Sequence, residues 1–265
     1  MHFMITHRTE YIYERYLHHS IHELRLTPSK SSNQAIQNWK ILAPNKLNES
    51  TDAFGNSCHT FVMDNHYMNL IIEAKGEVMT TDQFLFEDPK DAVSPYYLLQ
   101  PTDLTQISGV MLQYFEKLNT NKAWTPERLL KLAKEIRKTI VYETGVTDIE
   151  TSAAQAFELK KGVCQDHSHI MLSLCRSFGL PARYVSGYFY EENESDLSSH
   201  AWVDVCLNID AAVWHSIDIT NACFSDERHI RLAVGRDYAH VAPVKGIRSG
   251  GGGEELITKL AIEKC

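Results

Sequence analysis

The stretch from Gly162 to Tyr190, GVCQDHSHIMLSLCRSFGLPARYVSGYFY, leaves this chain few choices. Gly162 reads as a stop for the helix before it, and Cys164 opens a new helix. On that helix Ile170, Met171, Leu174 and Phe178 recur at the spacing of a buried face. Gly179 ends it and Pro181 forbids its continuation. Ala182 to Tyr190 alternates and is rich in Val, Tyr and Phe, which predicts a strand.

The place of that cysteine matters chemically. The first turn of a helix carries backbone N–H groups without intrahelical partners, and these and the helix dipole favour negative charge. Such a setting stabilises thiolate over thiol, and the thiolate is the nucleophilic form. The same N–H groups can receive the oxyanion that forms when a carbonyl is attacked. For amide chemistry a thiolate alone does not suffice, because the departing amine must be protonated. An imidazole near the sulfur, with a carboxylate to orient it, is the next feature to seek.

Two later segments supply both. Ser199-His200-Ala201-Trp202-Val203-Asp204-Val205 predicts a strand after the acidic, polar loop 191–199, and Val213 to Asn221 predicts the next. His200 stands at the start of one strand and Asp218 near the end of the other. In an antiparallel pair the start of one strand lies beside the end of its neighbour, so the two side chains can meet. Asp218 sits between Ile217 and Ile219, and a carboxylate in so apolar a strand needs a partner, since burying it unpaired is costly.

With these pieces the chain resembles the transglutaminase-like superfamily, in its bacterial form with an extra N-terminal domain. The resemblance rests on Gly162-Val163-Cys164-Gln165-Asp166, the run Leu180 to Tyr188, His200-Ala201-Trp202, Asp218-Ile219-Thr220-Asn221 and Gly235-Arg236-Asp237-Tyr238. His7-Arg8-Thr9-Glu10-Tyr11 and Asp52-Ala53-Phe54-Gly55-Asn56 match as well, so it covers nearly the whole chain. It implies a papain-like thiol site with Cys164 as nucleophile, His200 as base and acid, and Asp218 as the orienting group. The expected reaction is acyl transfer from an amide of a peptide or protein. Water as acceptor gives a cysteine protease or amidase, and an amine gives a transglutaminase. Hydrolysis is preferred, because nothing marks an amine site. A catalytically idle binding module on the same fold is the alternative, and the intact Cys-His-Asp set argues against it.

Around the triad, the Gln165 backbone N–H is a candidate oxyanion donor. Tyr142, Tyr188 and His167 are candidates for the cleft, although His167 reads first as a helix-surface residue and His169 as structural. Trp202 reads mainly as sheet packing that can also wall the site. Asp166 is expected to bond helix-start amides or Arg183, and Arg236 and Asp237 to form an ion pair bracing their loop.

No cofactor or metal is called for. The six cysteines, at 58, 164, 175, 206, 223 and 265, form no CxxC pair, so neither a zinc signature nor a disulfide framework is present. No oxygen-rich loop resembles a calcium site. The cysteines read as mostly reduced, and the start of the chain lacks a basic stretch followed by an apolar run; both predict a cytoplasmic protein. No stretch approaches the ~20 apolar residues of a membrane helix. The net charge of −8, without a basic stripe, gives no support for nucleic-acid binding.

Residues 1–100 read as all-β and sandwich-like, with strands at Ile5–Tyr13, His22–Pro28, Ala35–Leu42, Ser57–Met63 and Leu70–Met79. His18, His19 and His22 read as a surface turn leading into a strand, not a metal cluster, since no Cys or acidic pair completes a site. In 101–248, the core, one helix is expected after Thr102 or Asp103 with Leu104, Ile107, Met111 and Phe115 inward. Others follow the Thr125-Pro126 cap and the Ser152–Gln155 capping box. Helices followed by antiparallel strands make an α+β fold. Residues 249–265 read as a glycine hinge and a last strand whose sheet the sequence does not specify.

Overall fold

The computed structural model spans residues 1–265 and describes all of them except 89–91, 120–122 and 193–198. Most of the acidic loop before His200 therefore lies outside the described residues. In chain order the elements are β1 His2–Leu24, β2 Gln34–Leu42, β3 Asn48–Thr51, β4 Ser57–Met63, β5 Tyr67–Thr80 and β6 Leu85–Glu87. Then come α1 Gly109–Phe115, α2 Pro126–Thr139, β7 Val141–Tyr142, α3 Ala153–Leu159, β8 Lys161–Gly162 and α4 Cys164–Ser177. The rest are β9 Ala182–Phe189, β10 Ser199–Asn208, β11 Val213–Asp218, β12 Cys223–Phe224, β13 His229–Gly235, α5 Tyr238–Val241, β14 Val244–Gly250 and β15 Glu254–Lys264.

The N-terminal region is one curled antiparallel sheet of seven strands, in the order β2-β5-β1-β4-β3 with β14 and β15 also on β1. Its sandwich-like layering comes from this single sheet. The strands expected at Ile5–Tyr13 and His22–Pro28 are one strand, and its inward residues tell why the join was hidden. Phe3, Ile5, His7, Thr9, Tyr13 and Leu17 are buried at odd positions, then Ser20, His22 and Leu24 at even ones. A bulge between Leu17 and His19 inserts the residue that flips the face. His18, His19 and His22 thus lie within the strand and not in a turn: His22 is buried against Ser20, and exposed His19 bonds Asp64.

Both strands after residue 243 return to β1. β14 pairs with its second half and β15 with its first. The glycine run between them is a turn tied to β1, not a free hinge: Glu14 N–H donates to Gly253 O at 3.1 Å and Arg15 N–H to Gly251 O at 3.0 Å. Gly250 and Gly251 both have φ of +90°, a conformation that favours glycine.

The core sheet has the order β12-β11-β10-β9-β13, with β6 also on β11. α4 packs on β9 and β10, with α1, α2 and α3 also against it, so its residues from Asp166 to Arg176 are all buried. The caps of α2 and α3 are where the sequence put them. The single helix expected after Thr102 is broken. Thr102 and Thr105 close a 3-10 turn, and Ser108 caps α1 afresh by accepting from Met111 N–H. Short hydroxylated side chains that bond nearby backbone compete with helix continuation in this way. Met111 and Phe115 are still buried, while Leu104 and Ile107 are half-buried.

The two β regions are joined at β13, the outer strand of the core sheet. An open edge would leave its N–H and C=O groups unpaired. Two side-chain amides of the first region take the place of a neighbouring strand. Gln34 donates to Arg231 O at 2.8 Å and accepts from Arg231 N–H at 3.0 Å. Asn56 donates to Val234 O and accepts from Val234 N–H, both at 2.8 Å. Beneath, β9, β10 and β13 each contribute one member of a buried charge cluster. Asp204 receives Arg183 and Arg231 at 2.8 Å, and Arg183 also reaches Asp88. Burial alone would raise the Asp204 carboxyl, but Arg231 and Arg183 hold it well below the usual carboxylate range.

Breaking this cluster leaves buried guanidinium groups without a counter-charge, so Asp204→Ala is expected to lose about 3–5 kcal/mol in denaturant unfolding. Deleting residues 1–100 uncovers the β13 edge and the face below it; the truncated chain is expected to aggregate, as size-exclusion chromatography would show.

Candidate active site

Cys164 begins α4 and is half-buried. Two contacts fix this turn. Val163 N–H donates to Asp166 Oδ2 at 2.8 Å, and Thr147 Oγ1–H donates to the same oxygen at 2.8 Å. Gly162 is required by this arrangement, because a Cβ there would come within 2.6 Å of Asp166 Oδ2. It does not stop α3. That helix ends at Lys160, in the left-handed region with φ of 56°. Asp166 bonds the helix start as expected, but not Arg183, which pairs with Asp88 and Asp204.

His200 is the second residue of β10, opposite Gly187 of β9. Its Nε2 bonds Asp218 Oδ2 at 2.8 Å, and Cys164 interacts electrostatically with the same imidazole. With Nε2 engaged by the carboxylate, Nδ1 is the nitrogen left for the sulfur. Burial alone would lower the His200 pKa; the Asp218 carboxylate, and to a smaller extent Cys164, outweigh it and raise it to about 10. The imidazolium is thus the favoured form at neutral pH.

Asp218 ends β11 and is fully buried, yet its charge is well compensated. Oδ2 accepts from His200, from Asn221 Nδ2 at 2.7 Å and from His229 Nε2 at 3.1 Å, and Oδ1 accepts from Asn221 N–H at 3.0 Å. Burial would push this carboxyl up, but the two histidines hold it well below its ordinary range. Sequence reasoning missed His229 altogether. It was legible only as part of a strand, and β13 is not a neighbour of β11 in the sheet. Asn221 could have been found, because it is three residues past the acid, within reach of an Asx-type turn.

The remaining candidates divide. Gln165 lies in the first turn, its side chain donating to Asp148 O at 3.3 Å. Tyr142 pairs with Gly162 across β7 and β8 and is partly exposed, 6.2 Å from the His167 ring. His167 is no surface residue: it is buried, bonding Thr220 Oγ1 at 2.9 Å and Ile140 O at 3.1 Å. His169 is structural as read, accepting from Tyr238 N–H at 3.3 Å. Trp202 is buried 6.0 Å from the His200 ring, and its Nε1–H is spent on Ser216 Oγ at 2.9 Å. Tyr188 does not line the cleft. It is buried between the two β regions, its hydroxyl 2.8 Å from His7 Nδ1. It pairs with Ser199, whereas His200 pairs with Gly187, so alternation turns it to the opposite face of the sheet from His200. Arg236 and Asp237 do not pair either. Arg236 donates to Pro101 O at 2.8 Å, and Asp237 bonds His240 at 2.9 Å and caps α5.

Among the described residues, His200, Asp218 and His229 bring ligand-type atoms within 4.8 Å of one another, close enough to be considered for a metal ion. The set does not fit one well. Both ring nitrogens already donate to Asp218 Oδ2, and His200 favours its protonated form, whereas a ligating imidazole must be deprotonated.

The chain is similar to known proteins in both of its regions. The family model for the transglutaminase-like superfamily matches residues 113–219, and that for the bacterial transglutaminase-like N-terminal region matches 3–79. An uncharacterized protein of Mycobacterium leprae is 29% identical over 282 residues, covering 97% of this chain and 98% of its own. An uncharacterized protein of Mycobacterium tuberculosis is 28% identical over 273 residues, covering 92% and 87%. A solved structure titled "a Putative Cysteine Protease from Cytophaga hutchinsonii" superposes with a TM-score of 0.79 at 19% identity, covering 99% of this chain and 90% of that one. At that identity it speaks for the fold.

Burial lowers His7, His167 and His169 to about 4, so each is neutral in the folded protein. Unfolded histidines take up protons below about pH 6.5. Their contribution to stability is therefore full above that pH and lost as pH falls toward 4. His200 has the opposite sign: its contribution is full below about 6.5 and lost as pH rises through about 10. Thermal melts are expected to show stability falling steadily from pH 6.5 to pH 4.

Proposed function

Since this chain is a transglutaminase-like superfamily protein, with the bacterial N-terminal region in front of the core, we propose that it is a thiol-dependent hydrolase of peptide or protein amides. The observation that carries the reading is the His200 imidazole, bonded to the Asp218 carboxylate at 2.8 Å and raised in pKa by that carboxylate and, to a smaller extent, by Cys164.

The proton shared between Cys164 and His200 rests on Nδ1, and the imidazolium remains paired with Asp218. The sulfur attacks the carbonyl carbon of the amide. The developing oxyanion is received by backbone N–H groups at the start of α4, Gln165 among them, where the helix dipole also favours it. The tetrahedral intermediate collapses as His200 gives its proton to the departing amine, leaving a thioester on Cys164. His200, now neutral, takes a proton from water, which attacks the thioester and releases the acid. Asp218 stays ionised throughout and keeps Nδ1 turned toward the sulfur. An amine in place of water would give transamidation by the same steps.

Trp202 contributes by shape. A Cβ on Gly187 would meet the Trp202 ring at 2.5 Å, so the glycine lets the indole lie flat against β9 beside His200. Phe189, 5.3 Å from the His200 ring, closes another side.

Iodoacetamide at pH 6–7 is expected to label Cys164 faster than any of the other five cysteines, as peptide mapping would show, and His200→Ala to slow that labelling. Equal labelling of all six would count against the proposal. A peptide library incubated with and without an added amine distinguishes the acceptors: hydrolysis predicts cleavage or ammonia release in both arms and no incorporation of the amine. Cys164→Ala is expected to abolish the activity.

A further inference from the structure

Two histidines converge on one oxygen of Asp218, and the reaction as described uses only one of them. His229 opens β13 with its side chain 1% exposed, and its Nε2 lies 3.1 Å from Asp218 Oδ2. Its far side is fixed as well: Nδ1 lies 3.0 Å from Asp226 Oδ1 and 3.1 Å from the Asp226 backbone nitrogen. Asp226 is in turn clamped by Arg228, whose Nε and Nη2 reach Oδ2 at 2.9 and 2.6 Å. The line Cys164–His200–Asp218 thus runs on through His229 to Asp226. We infer that His229 is a positioning residue of the triad, a second donor that fixes the rotamer of Asp218 and tempers its pull on His200. The chemistry concerned is the proposed acyl transfer, and the inference rests on that reading for its kinetic arm alone.

The argument is one of balance. His200 must both accept a proton from sulfur and surrender it to an amine. A carboxylate in a buried site that gave its full charge to His200 would hold the imidazolium too tightly to release that proton. Asp218 Oδ2 is instead shared among His200, Asn221 and His229. Each added donor spreads the negative charge and weakens the attraction for the imidazolium. The Asp226 carboxylate polarises the His229 ring and strengthens its Nε2–H as a donor. A structural histidine needs only to fill space and satisfy its own nitrogens; this one directs a proton at the oxygen the catalytic imidazole uses.

Among the described residues, the groups that face His229 are few. Asp218 comes from β11, Asp226 and Arg228 from the turn before β13, and Cys223 of β12 pairs with Asp218. The His200 ring lies 6.3 Å away, and the Phe189 and Trp202 rings at 4.8 and 5.2 Å complete the surround.

The test is His229→Leu, which fills the site without a donor, against His229→Gln, whose amide restores an N–H near Nε2. Titration of the His200 imidazole by nitrogen-15 NMR is expected to shift to higher pH in His229→Leu and to return close to the parent in His229→Gln. With an amide substrate, kcat is expected to fall about tenfold or more in His229→Leu with KM little changed, the size of a lost hydrogen bond to a charged group, and to recover in His229→Gln. An unmoved His200 titration in a folded His229→Leu, or a His229→Gln that behaves like His229→Leu, overturns the inference. Should His229→Leu not fold, Asp226→Asn replaces it: the same upward shift, smaller, is expected, and none would overturn the role. The NMR arm needs no substrate, so a protein that turns over no amide would refute the proposed hydrolysis and leave this result readable.

Discussion

A fully buried carboxylate with four donors on it is the constraint around which the rest is arranged. Asp218 cannot be ionised at that depth without them, because isolated burial of charge is prohibitive. The donors come from three places in the chain: His200 on β10, Asn221 in the turn after β11, and His229 on β13. Each must be brought there by the fold, and the sheet does this. β10 and β11 pair with Val203 opposite Ile217, which brings the end of β11 beside the start of β10, while the 219–228 segment carries the chain round to His229.

The first β region supports the site from outside. β13 is the outer strand of the core sheet, and its groups at Arg231 and Val234 are satisfied by Gln34 and Asn56. Phe54, in the turn just before Asn56, packs on Trp202 and Val185. The glycine in that turn, Gly55, has φ of +82°, which lets the loop fold back so that Phe54 and Asn56 both point into the core. Tyr188 and His7 meet across the same junction. The two β regions therefore share one packed interface, and the strands that finish the first region, β14 and β15, are supplied by the last residues of the chain.

What could be read from the sequence was what is local. The helix at Cys164, the strand after it, the caps at Thr125 and Ser152, and the two strands bearing His200 and Asp218 each follow from residues within a few positions of one another. The three catalytic candidates were legible because each sits in a short motif at an element boundary. What could not be read depends on partners far along the chain. His229 reaches Asp218 only through the path of the turn before it. Tyr188 belongs to the interface with the first region and not to the cleft. The merging of two predicted strands into β1 was concealed by a bulge that changes which parity faces inward. Arg236 finds the carbonyls of residues 100 and 101, which no local pattern announces.

The central claim is that one sulfur accepts and then releases an acyl group under the direction of this imidazole–carboxylate pair. The most direct measurement is an acid-quenched reaction with an activated ester such as p-nitrophenyl acetate, read by intact mass and peptide mapping. The account predicts a transient acyl adduct on Cys164 alone, formed more slowly when Asp218 is replaced by Ala. An adduct spread over several cysteines, or one on Cys164 whose rate ignores the loss of Asp218, would contradict it.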